Sequence, residues 1–85
     1  KKHCTVHSNS RRYSVVDVKI EYKLWKIRNN KGISIRHLAE MSGVSKSTIN
    51  DIENGRHDPT IYTLCLLAGA LKVPPESLYS YQFIP

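Results

Sequence analysis

Acidic side chains are in short supply: seven Asp and Glu face 13 Lys and Arg in 85 residues, a formal net charge of +6. A basic balance in a small domain favours a polyanionic partner, although alone it serves solubility equally well. Cysteine occurs only twice, at Cys4 and Cys65, so a disulfide framework is not expected and a reducing cytoplasm fits. Cys65 sits in the apolar run Leu64-Cys65-Leu66-Leu67, where a free thiol behaves as a small hydrophobe. No apolar run approaches the roughly 20 residues that span a bilayer. The basic N-terminus lacks the apolar stretch of a signal peptide, so neither secretion nor a membrane partner is expected. There is no phosphate-binding glycine loop and no dinucleotide fingerprint. His3, Cys4 and His7 are metal-ligand types, but nothing completes the four ligands of a structural zinc site. A solvated tail is the expected state, with no metal and no cofactor. Ser, His and Asp are scattered without a catalytic grouping, so an enzyme is not expected.

What is present fits one domain. Hydrophobic content of 40% and charged content of 24% are those of a soluble globular chain. Residues 1–16 carry Lys1, Lys2, Arg11 and Arg12 with little periodicity, and read as a flexible basic arm. The compact part is expected over residues 17–79, with residues 80–85 as a short tail. Asp17 can cap a first helix from Val18 to about Asn30, with Ile20, Leu24 and Ile27 as its buried stripe. Trp25 is placed at the edge of that stripe. A later helix, from Thr60 as cap through Ile61 to Lys72, has Ile61, Leu64, Leu67, Ala68 and Leu71 as its core face. Its remaining side is also apolar, which suggests a second buried surface. Pro75 opens a last turn or two, after which Tyr81, Phe83 and Ile84 form an apolar tail. That tail can dock on the core, extend a dimer contact or add a small strand.

The most informative stretch runs from Ser34 to Asn54. Ile35, Leu38 and Ala39 share one helical face, and Ser34 caps that helix. Gly43 can take the left-handed conformation of a tight turn, and Ser45 then caps a second helix. Ile49 and Ile52 form that helix's apolar stripe, while Lys46, Ser47, Asn50, Asp51 and Asn54 occupy its opposite face. Two short helices joined by a glycine turn, the second polar on its outer side, have the geometry of a helix-turn-helix.

Leu38-Ala39, Gly43-Val44-Ser45, Ile49, Ile52-Glu53-Asn54-Gly55, Pro59, Leu64, Leu67-Ala68, Leu71 and Val73 follow in order. In that order the chain resembles the Cro/C1-type (XRE) helix-turn-helix family over roughly residues 20–79. The resemblance implies an all-α, five-helix, lambda-repressor-like domain whose third helix enters the DNA major groove. It places Lys46, Ser47, Asn50 and Asp51 at base edges. Their chemistry suits base reading, with Asn50 for adenine, Lys46 for guanine, Ser47 for several bases, and Asp51 for cytosine or for selection against phosphate. The resemblance assigns phosphates to Ser34, Arg36, Ser45, Asn54, Arg56, His57 and Thr60. It also implies a structural ion pair between Arg28 and Glu53. One departure is Ile35, where the family often has a glutamine that bridges phosphate and base.

Two functions follow from the resemblance. The first is a sequence-specific transcriptional regulator binding double-stranded DNA as a homodimer, expected to repress by occluding polymerase, with activation by touching polymerase left open. The second is an antitoxin-like module in which Tyr62, Leu66, Tyr79, Tyr81 and Phe83 face a protein partner. The preferred role for those five residues is closing the core or a homodimer. Arg11-Arg12 would place the N-terminal arm in the minor groove by analogy with other such arms.

Overall fold

A computed structural model describes residues 17–85. The basic arm of residues 1–16, with the His3, Cys4 and His7 group and Arg11-Arg12, lies outside the described residues. In chain order the elements are β1 (Asp17–Tyr22), α1 (Leu24–Asn30), α2 (Ile35–Ser42), α3 (Lys46–Glu53) and α4 (Ile61–Leu71). A 3-10 turn (Pro75–Leu78) and β2 (Tyr79–Ile84) complete the chain.

The fold is mostly helical but not all-α. Instead of five α-helices, the described residues hold four, the 3-10 turn and a two-stranded antiparallel sheet. The first correction concerns Val18 to Tyr22, which form a strand and not the opening of a long helix. Val18, Ile20 and Tyr22 alternate with Asp17, Lys19 and Glu21, the period of a strand, and are β-branched or aromatic. β2 supplies the missing backbone partners, in a register that sets Val18 against Phe83, Ile20 against Tyr81 and Tyr22 against Tyr79. Helix α1 therefore begins at Leu24, and no side chain caps it. The second correction is the fifth helix, whose four residues Pro75–Leu78 stay a single 3-10 turn because β2 starts directly after. Of the three fates open to the tail, the strand is the one observed.

The later helices follow from their caps. The hydroxyls of Ser34, Ser45 and Thr60 accept from the backbone N–H of His37, Thr48 and Thr63, opening α2, α3 and α4. Gly43, at φ 79°, ends α2 in the left-handed region that a side chain rarely adopts. Buried Ser42 then accepts from the Val44 N–H at 3.1 Å, fixing the turn into α3.

The core gathers Leu24, Leu38, Val44, Ile49, Ile52, Leu64, Leu67, Ala68, Leu71 and Leu78. Ile61 is a third correction: it is 74% exposed, standing at the first turn of α4 beyond the packed layer. Trp25 is likewise a surface residue, 58% exposed, and Cys65 is a free, exposed thiol. No helix among the described residues is long and apolar enough to cross a membrane.

The base of the ribbon is tied to the bundle. The Tyr22 hydroxyl donates to Asp58 Oδ1 at 2.9 Å, in the loop before α4. Burial, then the hydrogen bond to Asp58 and the charge of that carboxylate, push the phenol up from 10.0 to about 12. The raised value means that the stabilisation is whole below pH 10 and is lost as pH rises towards 12. Urea midpoints followed across that window should fall, and Tyr22→Phe should flatten the part of the fall that this hydroxyl causes.

Candidate nucleic-acid interface

Helix α3 rests on the core through Ile49 and Ile52, so the side chains a half-turn away must face outward. Lys46, Ser47 and Asn50 are exposed, and Asp51 is half-buried. Asn54, one turn beyond Asn50, donates from Nδ2 to the Asn50 backbone carbonyl at 2.8 Å and to Asn50 Oδ1 at 3.2 Å. The contact steadies the Asn50 amide and leaves its NH₂ and one oxygen lone pair for an incoming base. The bracing role of Asn54 is legible only as an i, i+4 pair of amides.

Asp51, next to Asn50 on the helix, is paired within the chain. Its Oδ1 accepts from Arg56 Nη2 at 3.2 Å and Nε at 3.3 Å. Gly55, at φ 74°, reverses the chain after α3, and the Arg56 N–H donates to the Asp51 carbonyl at 2.8 Å. Both partners remain open to solvent, with side chains 62% and 44% exposed, so the ion pair orients Arg56 more than it stabilises the fold.

Of the seven groups assigned to phosphate, Asn54 is bonded to Asn50 and the other six fall into two kinds. Ser34, Ser45 and Thr60 spend their hydroxyls as helix caps, and Ser45 also donates to Thr48 Oγ1 at 2.9 Å. What they offer an anion is a helix N-terminus, where the leading N–H groups lie outside the intrahelical ladder and the dipole end is positive. Arg36, Arg56 and His57 are exposed side chains. Arg36, Ser45 and Lys46 share a shallow cleft of about 410 Å³ between α2 and α3, with Glu40 on the same wall. His57 and Thr60 belong to the loop beyond α3 and do not line that cleft.

The whole face is positioned from beneath by Arg28 and Glu53. Arg28 Nε and Nη2 donate to Glu53 Oε2 and Oε1 at 2.7 and 3.0 Å, a two-pronged contact between α1 and α3. Arg28 Nη1 also donates to the Ile33 carbonyl at 2.9 Å, holding the entry to α2. The two side chains are 10% and 5% exposed. The hydrogen bond to Glu53 raises the guanidinium above its ordinary value, burial opposes this, and the carboxylate's charge adds to the rise.

Residues 26–78, most of the chain, match the helix-turn-helix family HTH_3. The chain belongs to that family, the Cro/C1-type (XRE) helix-turn-helix proteins. Among curated relatives, the HTH-type transcriptional regulator SutR of Escherichia coli is 41% identical over 57 residues, 67% of this chain and 32% of SutR. The HTH-type transcriptional repressor RghR of Bacillus subtilis is 42% identical over 53 residues, 61% of this chain and 39% of RghR. This chain thus spans between about a third and two fifths of those relatives' length. Among solved structures, the restriction-modification controller protein C.AhdI of Aeromonas hydrophila superposes with a TM-score of 0.62 at 31% identity. That superposition covers 64% of this chain and 82% of C.AhdI. The transcriptional regulator VanUg, at 22% identity, shares the fold with a TM-score of 0.64 over 79% of this chain and 89% of its own.

Proposed function

We propose that this helix-turn-helix domain is the DNA-reading part of a transcriptional regulator, and that it represses by occupying an operator as a homodimer. The observation that carries the reading is the outer face of α3. Lys46, Ser47 and Asn50 stand exposed there, the Asn50 amide is braced by Asn54, and the helix is held by the Arg28–Glu53 pair. Helix α3 rises about 1.5 Å per residue over eight residues, about 12 Å, which reaches only a few base pairs. Two copies related by a two-fold axis would read half-sites one DNA turn apart, about 34 Å. The names of relatives such as SutR and RghR support regulation, and RghR supports repression in particular.

Asn50 takes adenine by its N6 and N7 edge, Lys46 takes guanine O6 and N7, and Ser47 adapts to its neighbours. The N-termini of α2 and α3, with Arg36, Arg56 and His57, hold the phosphates and fix the register. Asp51 is a positioning residue: its carboxylate aims Arg56 and does not read cytosine. Arg56→Ala should weaken binding alike on all sequences and reduce the salt slope by about 1. Asp51→Ala should leave the preferred sequence unchanged; a changed preference would return Asp51 to base reading.

The test is selection from a randomised duplex pool, followed by a salt titration of the winner against a scrambled duplex. A palindromic winner bound far more tightly than the scrambled duplex is expected. Enrichment of no sequence, with only weak salt-sensitive binding, would overturn the reading.

A further inference from the structure

The terminal ribbon carries an apolar face that the other described residues leave uncovered. Alternation puts Val18, Ile20 and Tyr22 on one side of β1, and the register adds Phe83, Tyr81 and Tyr79 from β2. Only Tyr22 and Tyr79, at the base, pack against the core. Val18 and Ile20 are 40% and 39% exposed, and Tyr81 and Phe83 are 60% and 58% exposed. The last two rings lie 5.2 Å apart in a tilted arrangement, so they present one continuous aromatic surface. Towards the bundle the surface continues into a crevice of about 210 Å³ between Ile20, Tyr79 and Leu64, and reaches exposed Ile61.

We propose that this face joins two copies of the chain, the two ribbons stacking face to face about a two-fold axis. The inference rests on the homodimer reading above and deepens it by naming the contact.

Area, charge and shape each select a second copy as the occupant. The exposed parts of Val18, Ile20, Ile61, Tyr81 and Phe83 amount to on the order of 500 Å², given roughly 150–250 Å² for a whole aromatic side chain. A standard-size contact buries about 800 Å² per partner, and homodimer contacts are about 65% apolar, so the patch supplies the apolar share of a contact of that size. Asp17, Lys19 and Glu21 all project from the reverse side of β1, so the paired strand residues put no charge on the apolar face. The nearest charges, Asp58 at the Tyr22 hydroxyl and Lys23 and Lys26 beside Ile20, flank its base. Such a face meets its own copy without like-charge repulsion, and the same patch serves both sides of the two-fold axis. Stacked sheets lie about 10 Å apart, a gap that aromatic and β-branched side chains fill. The rival surface on α4, Tyr62, Cys65, Leu66 and Gly69, offers a single exposed aromatic ring, and its leucine is already half-buried against the core.

Sedimentation equilibrium of the full chain without DNA tests the proposal. The wild type is expected at twice its 9.7 kDa chain mass across micromolar concentrations. Tyr81→Lys and Phe83→Lys should each weaken self-association by roughly 30-fold or more, the factor of a hot-spot residue. Tyr62→Lys should leave it unchanged. A monomeric wild type, an undiminished Tyr81→Lys or Phe83→Lys dimer, or a dimer lost with Tyr62→Lys overturns the proposal.

Should a lysine variant unfold, isotope-filtered NMR of the wild-type dimer decides. Nuclear Overhauser contacts are expected between ring protons of Tyr81 or Phe83 in one copy and methyls of Val18 or Ile20 in the other. Their absence from a dimeric sample overturns the proposal. Because no DNA is present, the outcome is separable from operator reading: a ribbon dimer that selects no sequence keeps this inference and loses that one.

Discussion

Replacing Glu53 with alanine should lower the free energy of unfolding by about 3–5 kcal/mol. The loss is large because Arg28 stays behind, its side chain 10% exposed, with only the Ile33 carbonyl left among the acceptors it now uses. A cation stripped of water is costly unless its partner remains, so the penalty comes from the orphaned charge. Domains of this size have roughly 5–15 kcal/mol of stability in total, and each kcal/mol moves the midpoint of melting by about 4–8 °C. Thermal unfolding should therefore show a fall of at least about 12 °C. The paired substitution Arg28→Met with Glu53→Leu removes both charges and should recover most of the loss. A Glu53→Ala cost below about 1 kcal/mol would mean that the pair behaves like a solvated surface contact.

The second large effect is on recognition. Asn50→Ala removes the amide that Asn54 braces and should cost about 1–3 kcal/mol on the selected duplex, or roughly 5- to 150-fold in affinity. The cost should be confined to a single base position in each half-site, which a binding series over substituted duplexes would reveal. Asn54→Ala leaves the Asn50 amide in place but unbraced, so it should lower affinity by less while keeping the same preferred base. The fold should not respond, because Asn50 is exposed and takes no part in the core.

The helix-turn-helix was legible because its signals are local. Ser34, Ser45 and Thr60 each cap a helix three residues from the N–H they receive, and Gly43 sits where only a left-handed turn fits. The first strand of the ribbon was not legible, because Ile20 satisfies two periods at once. It falls on a helical stripe with Leu24 and Ile27, and on a strand face with Val18 and Tyr22. The tie is broken by β2, at the far end of the chain, and only pairing with it makes the strand reading win. The contact between Asp51 and Arg56 was hidden for a similar reason. Periodicity puts Asp51 on the outer side of α3, and only the reversal at Gly55 brings Arg56 back to pair with its carboxylate.

Whether α3 reads a base through Asn50 is tested most directly by a thermodynamic cycle. Affinities of the wild type and of Asn50→Ala would be measured on the selected duplex and on one with 7-deazaadenine at the adenine assigned to Asn50. That substitution deletes only the N7 acceptor. The expected result is a clear loss for the wild type, no loss for Asn50→Ala, and a coupling of about 1 kcal/mol or more between protein and base. Strictly additive losses at every adenine of the half-site would contradict base reading by Asn50.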